Sequence, residues 1–318
     1  MQREQVPTSI NETEFVLRAL GENVRMDGRK FDERRPLDIQ FGEDYGLVDV
    51  RLGKTRVLAR ISAEIAKPYD DRPLDGLFVI TTEMSPMADP SFEAGRYQEE
   101  EMLISRLIEK AIRRSQALDT ESLCILSGEK CWAIRADIHF LDHDGGLVDA
   151  CCTAVIAGLL HFKRPDITMA GKDITVHDPR DRVPVPLSVL FVPVCATFSF
   201  FNKRSADNTL DEGARDAPAA DDMAVDDPAP AVLVDATLQE ERLRHGHMTV
   251  TANANREICQ IMKGGLMPVD AATLLACTTA AMQIAEDVTK LIRRRLEEDD
   301  ARRGTATILT ESRADEDR

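Results

Sequence analysis

The sequence predicts an α+β fold made of two β-sheet-plus-helix halves packed together, and three observations carry that prediction. In residues 131–141, Trp132, Ile134, Ala136, Ile138 and Phe140 alternate with Ala133, Arg135, Asp137 and His139, a period of two that marks a half-buried strand. After the turn Asp142-His143-Asp144-Gly145-Gly146, residues 147–161 are almost continuously small or aliphatic, too apolar for a surface helix. Strands closed by a long helix then recur beyond residue 231, without detectable internal sequence repetition.

Taken in order, residues 11–20 set Phe15, Val16, Ala19 and Leu20 on one side of a short amphipathic helix. Arg25-Met26-Asp27-Gly28-Arg29 and Asp32-Glu33-Arg34-Arg35 read by themselves as a charged surface turn. Residues 36–41, 46–52 and 55–65 are strand-like, the last two joined by a tight Gly53-Lys54 hairpin. A loop over 67–75 leads to a strand at 77–84. Residues 96–115 form a helix with an apolar stripe through Leu103, Leu107 and Ala111. On an adjoining face stand Arg106, Lys110 and Arg113, a pattern that solvation alone explains. A central hairpin over 123–126 and 131–141 precedes the buried helix. Strand-like segments follow at 174–177 and 187–201, Pro193 marking a kink or an edge.

These elements group into an N-terminal helix and arm (1–30), a first half (31–202), an acidic disordered insertion (203–230), a second half (231–298) and a disordered charged tail (299–318). In the second half, strands at 231–236, 248–254 and 257–262 end in a turn at Lys263-Gly264-Gly265. Asp270 then caps a helix running to Leu296.

The 318 residues are 43% hydrophobic, 30% charged and carry a formal net charge of −16, which describes a soluble globular protein. Such a balance argues against a broad nucleic-acid-binding surface. More than half of the charge, however, lies in 203–230 and 297–318, so any RNA contact is a local basic patch. Seven cysteines without C-x-x-C spacing read as reduced core residues of an intracellular protein. No signal region and no membrane span are expected. His139, His143, His245 and His247 fall in no zinc pattern, and neither a metal nor a cofactor is expected. No G-x-S-x-G marks a serine nucleophile.

The stretches at 44–65, 119–146 and 162–171 (DYGLVDVRLGKTRVLARISAEI, DTESLCILSGEKCWAIRADIHFLDHDGG and FKRPDITMAG) resemble the ribonuclease PH family. That resemblance implies a ribonuclease PH-like fold of the ribosomal protein S5 domain 2-like type. In the active relatives, Gly-Thr-Arg at the end of an Asp-Gly-Gly turn grips inorganic phosphate, and acidic residues in the second half manage a metal or a proton. Here Gly146 matches, whereas Leu147 and Val148 stand at the Thr and Arg positions. In LVDATLQEERLRHGHMTV, anchored on Met248, the first acidic position falls on Glu241 and the second on His247. A neutral imidazole does not replace a carboxylate toward a divalent cation. The site is therefore expected to be degenerate.

The resemblance is to the non-catalytic branch of the family found in the RNA exosome ring. It implies a heterodimer within a six-member ring, with other ribonuclease PH-like subunits, RNA-binding cap subunits and an associated hydrolytic nuclease as partners. It also implies an Arg-x-Asp-Gly-Arg turn at the start of the domain, and a Gly-Arg before the first long helix, matched by Gly95-Arg96, whose arginine touches RNA or phosphate. Arg96, Arg106, Lys110 and Arg113 are accordingly the RNA-binding candidates. Nucleus, nucleolus and cytoplasm are the expected locations. The alternative is an active phosphate-dependent 3′-to-5′ exoribonuclease.

Overall fold

The computed structural model describes residues 9–92, 99–170, 173–178, 182–202 and 231–316. Arg96 and the 203–230 insertion lie outside the described residues. The chain opens with α1 (Ile10–Gly21), whose Val16 and Leu20 are buried against Phe201, Ala231 and Leu233.

The first sheet contains β1 (Leu37–Phe41), β2 (Leu47–Leu52), β3 (Thr55–Ala66), β4 (Leu77–Met84), β5 (Cys124–Leu126) and β6 (Lys130–Asp142). Its order is β1-β2-β3-β6-β4, with β5 also on β6. The first three strands form the expected antiparallel meander. β6 then inserts between β3 and β4, antiparallel to the former and parallel to the latter. Its alternation turns Trp132, Ile134, Ala136, Ile138 and Phe140 inward, all 3% exposed or less. Between β4 and β5 lie α2 (Glu99–Glu109), a wider π-helical turn (Lys110–Arg114) and a 3-10 turn (Glu121–Leu123).

Helix α3 (Leu147–His161) is buried along nearly its whole length because it lies between two sheets. Its outer neighbours on one side are β2 and β3, and on the other β11. Short pairs follow: β7 (Lys163–Arg164) with β10 (Val185–Pro186), and β8 (Ile167–Ala170) with β9 (Asp173–Val176). The second sheet runs β12-β11-β13-β14, with β11 at Val194–Phe201, β12 at Ala231–Val234, β13 at Gly246–Ala252 and β14 at Ile258–Gly265, all antiparallel. α4 (Leu238–Leu243) sits between β12 and β13, and α5 (Ala271–Glu316) closes the fold.

Four expectations are corrected. β11 was assigned to the first half but belongs to the second sheet, where β12 and β13 flank it and every residue is buried. The second half thus begins before the insertion. The Gly264-Gly265 pair continues β14 rather than turning the chain: a Cβ on Gly264 would lie 2.4 Å from the His247 ring, so glycine is what lets that imidazole lie across the strand. Arg25 and Arg35, read as surface charges, are 2% and 7% exposed: the turn itself lies at the surface, with Met26, Asp27, Gly28, Asp32 and Glu33 exposed, and sends these two arginines into the interior.

The fourth correction concerns the tail from 299, which continues as α5 to Glu316. Asp299 explains the continuation. It is 6% exposed, faces His161 Nε2 at 3.2 Å and holds Arg302 and Arg303, while Arg303 donates to the Glu43 carbonyl and lies over the Tyr45 ring. The capping role expected of Asp270 is present, its Oδ1 accepting from the Thr273 N–H at 3.1 Å. Along α5, Cys277 and Ala281 pack on the second sheet, and Ala285, Val288 and Ile292 on the core of the first.

Candidate functional site

The N-terminus of α3 opens into a cleft of about 380 Å³ between the two halves. Its floor is the glycine turn. Gly145 and Gly146 have φ of +81° and +67°, and a Cβ on Gly145 would lie 2.7 Å from the Ala236 carbonyl and 2.8 Å from the Leu238 amide nitrogen. The turn is therefore the point where the first half touches the entry of α4.

Two arginines fix this junction from beneath. Arg35 donates from Nε and Nη2 to Asp235, at 3.0 and 2.7 Å, and from Nη1 and Nη2 to the carbonyls of Asp144 and Gly145. Arg25 grips Glu240 in bidentate fashion, at 3.0 and 2.7 Å, and donates to the Val234 and Asp235 carbonyls. Both guanidiniums are thus committed to the protein's own oxygens. Burial alone would raise the Asp235 carboxyl, but its hydrogen bonds to Arg35 win and hold it below the usual range.

Glu240 anchors α4 and so aims the next side chain into the cleft. Glu241 Oε1 accepts from the Gly146 N–H at 3.2 Å and pairs with Arg244 at 3.3 Å. An N–H at a helix start normally favours an external anion. Here a carboxylate of the same chain fills that place. Burial raises the Glu241 carboxyl, with Arg244 and the Gly146 amide opposing.

His247, on β13, reaches the same cleft. Burial, with help from Arg244, lowers its imidazole to about 4, so it is neutral at physiological pH. Beside it Thr249 meets Thr197 at 3.1 Å, and Thr197 donates to Asp149 from both its hydroxyl and its backbone N–H, at 2.7 and 3.0 Å. Burial raises the Asp149 carboxyl to about 6. On the far wall His143 stacks on Phe92 with centroids 5.7 Å apart, and Arg242 lies 3.8 Å from Asp89. Leu103, Ile104 and Leu107 of α2 and Met262 of β14 supply an apolar side.

All five positions expected to form a degenerate site, Gly146, Leu147, Val148, Glu241 and His247, line this one cleft. The basic candidates do not join them. Arg106, Lys110 and Arg113 are exposed on α2 and the turn after it, outside the cleft lining, and Arg113 is paired with Glu109 at 3.0 Å. Sequence reasoning missed Asp89, Phe92, Thr197, Arg242 and Arg244. Arg242 and Arg244 stood beside Glu241 in the same stretch, but nothing local separated them from surface charges. Among the described residues no cluster of three or more His, Cys, Asp or Glu could hold a metal ion, and no helix is long and apolar enough to cross a membrane.

Residues 33–165 match the family model of 3′ exoribonuclease family domain 1, and residues 192–284 match that of domain 2. The chain belongs to the ribonuclease PH family of 3′ exoribonucleases. The second match, like the second sheet, begins before the insertion. Within the family the chain is 52% identical to the exosome complex component rrp45 of Schizosaccharomyces pombe, over 92% of each chain. It is 49% identical to the exosome complex component RRP45 of Saccharomyces cerevisiae, over 98% of each. A solved Archaeoglobus fulgidus exosome with RNA bound to the active site superposes with a TM-score of 0.70 and 26% identity, covering 88% of this chain and 97% of the other.

Proposed function

We propose that this ribonuclease PH-family chain is a non-catalytic ring subunit of an RNA exosome, serving 3′-to-5′ RNA processing and decay as structure and channel wall. The observation that carries the reading is the contact between Glu241 and the Gly146 N–H. Phosphorolysis needs a cationic cradle for a free phosphate and acidic groups at the leaving oxygen. In this cleft the amide already faces a carboxylate, Leu147 and Val148 offer apolar side chains, and the second acidic position holds a neutral imidazole. The names of the relatives supply the assembly: both yeast proteins are exosome components.

The partners in this reading are other ribonuclease PH-like subunits, RNA-binding caps, a hydrolytic nuclease, and RNA held through local arginines such as Arg106. Nucleus, nucleolus and cytoplasm are its locations. The purified chain, alone and paired with a neighbouring ring subunit that is itself inactive, is incubated with end-labelled RNA, phosphate and magnesium. No nucleoside diphosphate is released above background. Release that is abolished by Glu241→Ala would establish the phosphate-dependent exoribonuclease instead. A tagged copy recovers the other ring members, and a copy that recovers none of them contradicts the assignment.

A further inference from the structure

Two of the seven cysteines face one another across a strand pair. In the hairpin of β5 and β6, Cys124 is the register partner of Cys131. Directly opposed residues of antiparallel strands have Cα atoms about 4.5 or 5.5 Å apart and side chains on the same face. A disulfide accepts Cα separations of about 4.4–6.8 Å, so either kind of pair falls inside its range. The register shift between Cys124 and Leu126 places the irregularity at Ile125 and leaves the cysteine pair opposed.

The two thiols differ in access, which sets an order of events. Cys124 is half-buried at the end of a three-residue strand, whereas Cys131 is wholly buried. The Leu77 amide hydrogen-bonds the Cys131 sulfur. A second pair, Cys152 and Cys195, also meets side chain to side chain, but both are fully buried, as is Cys151, so no dissolved oxidant reaches a first thiol there. Cys259 has Thr251 and Ala252 on its neighbouring strand rather than a cysteine.

We propose that Cys124 and Cys131 are a dithiol modification site that low-molecular-weight disulfides convert to an intramolecular cystine. The Cys124 thiolate attacks one sulfur of the oxidant, forming a mixed disulfide and expelling one small thiol. The Cys131 thiolate then attacks the Cys124 sulfur and expels the second. Two protein thiols are oxidised, one small disulfide is reduced to two thiols, and two protons pass to the departing sulfurs. The bond staples the hairpin at its open end. Its tip is already tied down, the Gly128 N–H donating to the Pro73 carbonyl at 2.9 Å, so the staple also stiffens the seat of the 67–75 loop.

The sequence supplies a clean readout, since a tryptic cut after Lys130 separates the two cysteines. The folded full-length chain is treated with oxidised glutathione, free thiols are alkylated, and the digest is analysed without reduction. Peptide 115–130 joined to peptide 131–135 is expected, disappearing after dithiothreitol. In Cys131→Ser, Cys124 carries a glutathione that persists. The proposal is overturned if both cysteines of the oxidised wild-type chain are recovered alkylated. It is equally overturned if Cys124 carries glutathione while Cys131 stays free, or if the joined peptide arises only in denaturant.

Discussion

Arg35 ties together three places that are remote in sequence: its own arm, the glycine turn at 144–145 and Asp235, two hundred positions away. Removing one member of such a buried pair strands the other charge, at a cost of about 3–5 kcal/mol. Arg35→Met is therefore expected to lower the denaturant midpoint sharply, and Asp235→Asn to do the same. Asp149 offers a pH test. Burial raises its folded carboxyl to about 6 from an ordinary 3.8, so its contribution is complete below pH 3.8 and declines as pH rises through 6. Asp149→Asn lacks that decline. The stability gap between the two proteins is thus expected to be widest in acid and to narrow by about 3 kcal/mol toward pH 7, measured by urea melts at each pH. A gap that widens with pH contradicts the assignment. None of this was legible beforehand: the charges of Arg25 and Arg35 are visible in the sequence, but burial depends on partners that only the tertiary fold supplies. The place of Gly146, Leu147 and Val148 at the mouth of the cleft, by contrast, was legible, because a glycine turn before an apolar helix is a local signal.

Among the elements, β6 and α3 followed from pattern alone, since a period of two and an unbroken apolar run each admit one environment. The insertion of β6 between β3 and β4 did not, because pairing order lies in no single segment. α5 exceeded its expected end for a physical reason that Asp299 supplies. Burial alone would raise that carboxyl, but its hydrogen bonds and charge contacts with Arg303 and Arg302 hold it below its ordinary 3.8. The contribution is present above pH 3.8 and lost as pH falls below it. Asp299→Asn should speed amide exchange over 295–304 while leaving 274–292 protected, as read by mass spectrometry at neutral pH. Equal protection of both segments in the variant would remove Asp299 from this role.

At the scale of the whole molecule, two sheets share α3 between them and α5 across them. Neither half has a complete core without these helices, so both are expected to unfold in one transition. The single tryptophan, Trp132, lies in the first sheet at 3% exposure, and Cys277 packs on the second at the same exposure. Trp132 fluorescence and thiol labelling of Cys277 should give coincident denaturation midpoints, and separated midpoints would show two independent units. The division into halves was legible from the recurrence of strands and helix. Its boundary was not, because β11 is as apolar as any strand of the first half and only its pairing assigns it to the second.

The hydrogen bond from the Gly146 amide to Glu241 also has a consequence for the proposed non-catalytic role. A guanidinium restored at position 148 arrives beside a carboxylate that already belongs to the chain, and the two neutralise each other before any dissolved ion competes. On the proposed reading, Val148→Arg alone is therefore expected to leave phosphate-dependent release from RNA at background.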